Sequence, residues 1–455
     1  MGLPQPPLPP QPRKQKILIF NCKGGYGHMA ACTTLKNVLT DYDVQIIIPL
    51  EDTLGSIDIF KNITFGKVSC EEFYNACLQN NWIRTINLLF WNGGPWITSL
   101  NSNRIQRRFY KLFQKEKPDL IISVMPIINY AASQAAAQCN IPYLCITLDA
   151  DLKLWLIDLE KNKYPHVTFT ASILTSHITK QLERKKIPTK SIKEVGFTLR
   201  SDFFQPKDTD KIKDEWKVPA GKPIIMMMMG GAGSTQILRF TRQLAKLDIP
   251  AHLLVCVGRN DGMIPKLKRI KLNPNISMTT VGFTTKVADL MAISNLFICK
   301  PGPNQCNEAM HSGLPILIDQ TIPCLVWERA TIDLVKTYGK GDIVKKLRKL
   351  NPLVKKYLAQ KTPRFKHPKL TAMPRFETSI KRLVKNILTK KDSKKDSIVK
   401  TANRNIVKPT KTCQSNPQVS KSIAQNGQRN ANNGQHACHH THVNADRQKN
   451  VNQKA

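Results

Sequence analysis

Twice along the chain an apolar run ends in a glycine-rich turn that opens a helical pattern, and this repeat fixes the fold class. Residues Ile17–Asn21 run into Lys23–His28, then into helical spacing from about Met29 to Leu39 and a second apolar run at Val44–Ile48. Continuous apolar runs joined through helices read as parallel strands covered on both faces. Asp119–Val124, a small-residue helix near Ala131–Ala137 and Tyr143–Thr147 supply another such unit. After Phe197–Phe204 the grammar restarts with Ile224–Met229, the turn Gly230–Ser234, a helix to about Leu247 and His252–Val257. It continues through Lys286–Ile293, Leu296–Cys299, the turn Lys300–Asn304, a helix to His311 and Pro315–Ile318. Two tandem α/β domains follow, with ligand-binding turns outside the carboxyl ends of their strands.

The expected divisions are a Pro-rich leader over 1–15, an N-terminal Rossmann-like domain over 16–200, a C-terminal one over 201–345, helices over 346–390 and a disordered basic tail over 391–455. Charge supports the tail: of the net +37, +22 falls between Gly341 and Ala455. An anionic partner such as a membrane surface suits that excess. Lysines without interleaved aromatics argue against specific nucleic-acid reading. The twelve cysteines show no regular pairing and read as reduced thiols of a cytoplasmic protein. The start of the chain has no apolar h-region, and Pro6 stands where myristoylation needs Ser or Thr. The uncharged stretch Leu120–Leu148 is broken by Pro126, Asn129 and Pro142, so it is not a membrane span.

Chemistry concentrates at the turns. His28 stands where Gly24-Gly25-Tyr26-Gly27 opens a helix, and a helix N-terminus disfavours imidazolium, which suits a general base. The same residues also satisfy the dinucleotide pattern G-x-G-x-x-A, with Glu51 as a late candidate for the ribose acid. Gly230 and Gly231 form a second phosphate-type turn, and Lys300 to Asn304 around Gly302 a third. Glu308, one helical turn further in, can accept both hydroxyls of a ribose. Asp149-Ala150-Asp151 matches the three-residue metal–diphosphate signature, but glycine turns already serve the phosphates, so neither a metal nor another cofactor is expected. The cluster His436, Cys438, His439, His440 and His442 lies in the tail with no scaffold to orient ligands.

The opening strand-GGxGH-helix, Met229–Gly233, the run Val281-Gly282-Phe283-Thr284 with Val287–Met291, then Lys300–Pro303 and Glu308-Ala309 resemble the monogalactosyldiacylglycerol synthase family. That family groups with the lipid II GlcNAc transferase among inverting GT-B glycosyltransferases. The resemblance covers about residues 16–345 and implies a UDP-sugar donor, a lipid acceptor and two Rossmann-like domains around a cleft. It implies that His28 serves the acceptor hydroxyl with Asp151 beside it. Phe283 would lie at the uracil, Gly302 and Lys300 at the diphosphate, and Glu308 at the ribose. Two departures stand out. Trp327-Glu328-Arg329-Ala330-Thr331 replaces Gln-Glu-x-x-Asn, keeping only Glu328 for the sugar, and Met125-Pro126 replaces His-Pro.

Residues 81–96 hold Trp82, Trp91 and Trp96 around a Gly-Gly-Pro break. A core helix accounts for Ile83, Ile86 and Phe90, whereas the indoles favour a water–lipid boundary. The reading is therefore a peripheral enzyme on the inner face of a membrane, passing a hexose from a UDP-sugar to a lipid hydroxyl, diacylglycerol first. The rivals are a GlcNAc transferase using a polyprenyl-linked acceptor and a non-catalytic protein binding anionic lipid or nucleic acid.

Overall fold

Where the order of strands reverses within a parallel sheet, the chain leaves a crevice, and this fold contains two such reversals facing each other. The computed structural model describes residues 13–24, 27–161, 167–360 and 364–406. The first sheet carries β1 (Lys16–Phe20), followed by α1 (Gly27–Val38), then β2 (Asp43–Ile47) and α2 (Cys70–Gln79). It is completed by β3 (Leu120–Ser123), β4 (Tyr143–Ile146), β5 (Val167–Ala171) and β6 (Ile192–Glu194). Its order is β2-β1-β3-β4-β5-β6, every pair parallel. Central strands sandwiched by helices need apolar residues on both faces; Ile17, Leu18, Ile19 and Phe20 are accordingly all fully buried.

The second sheet holds β7 (Ile224–Met228), β8 (Ala251–Cys256), β9 (Ile276–Val281) and β10 (Leu296–Cys299), then α3 (Pro303–His311), β11 (Pro315–Asp319) and β12 (Lys340–Val344). Its order, β12-β11-β10-β7-β8-β9, is again parallel throughout. Strands β6, β9 and β12 escape the sequence reading because each lies at a sheet edge, where one side is free of the apolar requirement. β12, for instance, reads KGDIV. β5 has a strand on each side and escapes the sequence reading because three of the five residues of its run, VTFTA, are threonine or alanine.

The segment 346–390 is shared between the domains. Leu350 and Val354 pack into the second domain, whereas Phe376, Ile380, Val384 and Leu388 of α4 (Phe376–Ile406) enter the core of the first. Spacing of four residues reveals an apolar helix face but not its partner. The return crosses Gly196, held at φ +88°, where a Cβ would lie 2.0 Å from the Pro374 carbonyl oxygen. Lys391 then donates to the Asp119 carbonyl at 3.0 Å. The helix thus runs past the Lys390 boundary expected from composition. The chain divides at Ile398 into two units, the second described only to Ile406. The Pro-rich leader up to residue 12, the tail from 407 and its histidine cluster lie outside the described residues.

Because Ile380 is fully buried among residues of the first domain, Ile380→Ala should cost about 2–5 kcal/mol. Denaturant unfolding measures the loss, and hydrogen exchange should place it in β1 and β3 rather than in the second sheet.

Candidate active site

β2 and β3 flank β1 on opposite sides, as β8 and β10 flank β7. Ligands bind outside the strand ends at such reversals. Among the residues there, Gly24, Gly27 and His28 from one domain and Gly230, Gly231, Lys300 and Gly302 from the other border one cavity of about 360 Å³.

On the N-terminal wall, α2 fixes the first glycine turn. Glu71, buried, accepts from the Lys23 backbone N–H at 2.7 Å, and Asn75 donates to the Lys23 carbonyl at 3.1 Å. Gly25 and Tyr26 lie outside the described residues. The Lys23 ammonium pairs with Glu51 at 2.6 Å, and Glu51 is not in the cavity wall. The dinucleotide reading therefore finds no ribose acid there. His28, in the first turn of α1, lies 2.6 Å through Nδ1 from the Val124 carbonyl. A carbonyl accepts only, so Nδ1 carries the proton and Nε2 is the basic nitrogen. Burial lowers the His28 pKa, outweighing the opposing effect of that carbonyl. The ring is thus neutral at pH 7, as a base must be.

The carboxylate that joins His28 is Asp149, not Asp151. Asp149 lines the cavity and accepts from Trp155 Nε1 at 2.8 Å; the Trp155 ring in turn tilts against His28 at 6.1 Å. Asp151 faces away: it accepts from the Lys153 N–H at 2.9 Å and Gln181 Nε2 at 2.8 Å, and approaches His177 at 3.4 Å. Successive extended residues alternate in direction but residues two apart need not agree once the strand has ended, and the turn after β4 separates this pair. The two carboxylates therefore do not form a shared metal chelate. Among the described residues no cluster of three or more His, Cys, Asp or Glu is arranged to hold a metal.

The C-terminal wall contains most of the expected donor residues. Gly230 has φ +85°, and a Cβ there would meet Lys300 Cε at 2.8 Å, so glycine lets the lysine cross the turn. Gly231 follows it in the wall. The Lys300 ammonium lies 3.7 Å from Glu328, itself 5% exposed. Gly302 precedes α3 with Pro303 at its first position, leaving backbone N–H groups of the first turn for an anion. Glu308 also lines the cavity; burial pushes its carboxyl up to about 7, with Arg200 pulling it down. Phe283, 52% exposed, has the Arg259 guanidinium 4.2 Å from its ring centre. Asn304 differs from expectation in part: its amide donates across the cleft to the Gly27 carbonyl at 3.1 Å. Arg200, Arg259 and Tyr74 also line the cavity without being expected there: Arg200 and Tyr74 lie outside any glycine turn, and Arg259 follows Gly258 in a single-glycine turn after β8 that matches no phosphate-type pattern.

The tryptophans separate. Trp82 and Trp96 are 56% and 68% exposed, with Leu88, Leu100, Ile63 and Phe65 exposed in the same stretch of chain. Trp91 is instead stacked on Trp327 of the second domain at 6.3 Å, with the Lys153 ammonium 4.0 Å from its ring centre. The reason is local: residues Asn87–Gly93 form a π-helical turn between α-helical turns Ile83–Ile86 and Gly94–Leu100. The wider turn directs Asn87 and Trp91 to the second domain while Leu88 and Leu89 remain exposed. Trp91, expected at the membrane with the other two, makes an interdomain stack instead of standing fully exposed.

Two parallel sheets with facing reversals and a helix returning from the end of the chain constitute the GT-B fold. The chain is similar to the MurG of Acinetobacter baumannii, with TM-score 0.52 and 12% identity over 83% of this chain and 99% of that one. It is also similar to Arabidopsis thaliana UGT89C1 complexed with UDP-L-rhamnose, with TM-score 0.52 and 11% identity over 83% and 100%. In sequence it is 22% identical over 324 residues to the processive diacylglycerol beta-glucosyltransferase of Bacillus cereus (strain AH187), covering 68% of this chain and 78% of that one. The Bacillus anthracis (strain A0248) protein of the same description matches equally. No family model matches.

Burial raises the Asp149 carboxyl from 3.8 to about 7, with the Trp155 bond opposing. Folded chain therefore holds a proton that unfolded chain releases, so this group costs stability as pH rises through that window. Asp149→Asn keeps an acceptor for Trp155 and removes the cost. Urea unfolding should show its stability gain over the parent growing from about pH 4 to about pH 7 and levelling off above; a gain independent of pH would contradict the assignment.

Proposed function

We propose that this chain is an inverting glycosyltransferase that moves a hexose from a UDP-sugar to the hydroxyl of a membrane lipid, diacylglycerol being the acceptor favoured by its relatives' descriptions. The observation that carries the reading is a neutral imidazole on one wall of the cavity facing a lysine-bearing glycine turn and two carboxylates on the other. The nucleotide lies along the C-terminal wall, its ribose at Glu308, its base against Phe283 and its diphosphate at Gly302, Gly231 and Lys300. Glu328 accepts from the sugar hydroxyls. His28 Nε2 takes the proton of the acceptor hydroxyl as its oxygen attacks the anomeric carbon opposite the departing UDP. Negative charge then builds on the diphosphate, where backbone N–H groups and the Lys300 ammonium stabilise it without reorganising. Asp149, on the same wall, holds Trp155, whose ring lies against the imidazole.

Among the described residues no helix is long and apolar enough to cross a membrane. Contact with the lipid falls to the exposed side chains of Phe65, Trp82, Leu88, Trp96 and Leu100, aided by basic residues at the anionic cytoplasmic leaflet. Such contact divides by salt response, since indole burial is not Coulombic. Replacing Trp82 and Trp96 with serine should reduce sedimentation with anionic vesicles even at 0.5 M salt. Equal binding by parent and variant at that salt would place the lipid surface elsewhere.

The direct test of the chemistry is His28→Ala. It should retain UDP affinity within about twofold, because the ring serves the acceptor, while transfer falls 10²–10⁴-fold. Turnover above about a tenth of the parent's would remove His28 from the mechanism.

A further inference from the structure

The segment with the exposed indoles also holds the loop that carries Glu328. Between β11 and the helix Arg329–Tyr338 the chain crosses the cleft edge through Thr321–Glu328. Leu325, buried, inserts among Cys77, Leu78, Ile83 and Ile86 of the first domain. On either side of that leucine the Asn87 carboxamide grips the backbone: Nδ2 donates to the Cys324 carbonyl at 3.0 Å, and Oδ1 accepts from the Val326 N–H at 3.0 Å. One further residue along is Trp327, stacked on Trp91, and next is Glu328 in the cavity wall beside Lys300. Asn81, at φ 61°, makes a matching pair of bonds to the other glycine turn, from Ser234 Oγ and to Thr235 Oγ1, both 2.7 Å. The two asparagines differ in what they hold. Asn81 meets hydroxyls that can rotate, while Asn87 pairs with a peptide as a strand would, fixing a short loop in direction as well as position.

We propose that Asn87 is a positioning residue for the donor sugar: through its two bonds to the Cys324–Val326 backbone it sets Glu328 against the hexose, without touching the nucleotide. The inference rests on the UDP-sugar reading above. The π-helical turn is what brings this about, since it directs Asn87 and Trp91 together at the loop, and such turns recur at functional sites. UDP, which lacks the hexose, should be indifferent to the clamp, whereas a UDP-hexose should sense it. Because the effect passes through Glu328, removing both groups should cost little more than removing one.

Calorimetry of the full chain with UDP, UDP-glucose, UDP-galactose and UDP-GlcNAc makes the test, using the parent, Asn87→Ala, Asn87→Asp, Glu328→Gln and the double variant Asn87→Ala with Glu328→Gln. Asn87→Asp keeps an acceptor for Val326 and sets a carboxylate against the Cys324 carbonyl, so it replaces the alanine variant if that one fails to fold. For the best-bound sugar nucleotide either Asn87 variant should bind about tenfold more weakly, with UDP affinity held within about twofold. Glu328→Gln should add less than about twofold in the Asn87→Ala background. Parallel loss of UDP and UDP-hexose, full additivity of the two substitutions, or unchanged UDP-hexose binding would each overturn the proposal while leaving the UDP-sugar reading standing. A parent that bound UDP but none of the UDP-sugars would overturn both, as would a parent that bound no nucleotide at all.

Discussion

Everything at the cleft depends on parallel strands having one end. A helix that crosses from one parallel strand to the next begins near the carboxyl end of the first, so free N–H groups and the positive ends of helix dipoles gather at one edge of each sheet. Reversing the strand order beside β1 and again beside β7 opens that edge and gives two such openings. Turned toward each other they provide an anion-binding wall and a wall where cations are disfavoured. The helix terminus at Gly302 leaves N–H groups open to an anion, and on the other wall burial keeps His28 neutral.

The same geometry makes the side chains that cross the cleft consequential. Asn304 to Gly27, Asn87 to the Cys324–Val326 backbone and Trp91 to Trp327 join pieces of the C-terminal wall to pieces of the N-terminal one. The Leu325 plug among Cys77, Leu78, Ile83 and Ile86 adds an apolar contact to these bonds. The helix that returns from the second domain to the core of the first, passing Gly196, joins the two halves on the side of β1 and β3.

Much of this was legible in the sequence because glycine turns after apolar runs are local signals. His28, Gly230, Gly231, Phe283, Lys300, Gly302, Glu308 and Glu328 were named from such signals or from the family resemblance, and all eight line the cavity. What was not legible depends on distant partners. Asp151 and Asp149 cannot be told apart by spacing, since only the packing of Gln181 and Trp155 decides which faces the cleft. Trp91 carries the same indole as Trp82, and a π-helical turn has no strong sequence signature to separate them. The four-residue spacing in α4 showed a buried face without saying that it belonged to the first domain. Arg200 reaches the cavity from outside the glycine turns, and Arg259 from a single-glycine turn at Gly258 that matches no phosphate-type pattern.

The central claim is that the two walls form one reaction site, with a sugar nucleotide on one side and a lipid hydroxyl on the other. Incubating the purified chain with each of UDP-glucose, UDP-galactose and UDP-GlcNAc and diacylglycerol vesicles, then determining the product's mass and anomeric configuration by mass spectrometry and NMR, tests it most directly. The account predicts a glycosyl-diacylglycerol whose new linkage is β from an α-linked donor. A product of retained α configuration, or release of UDP without any sugar appearing on the lipid, would contradict it.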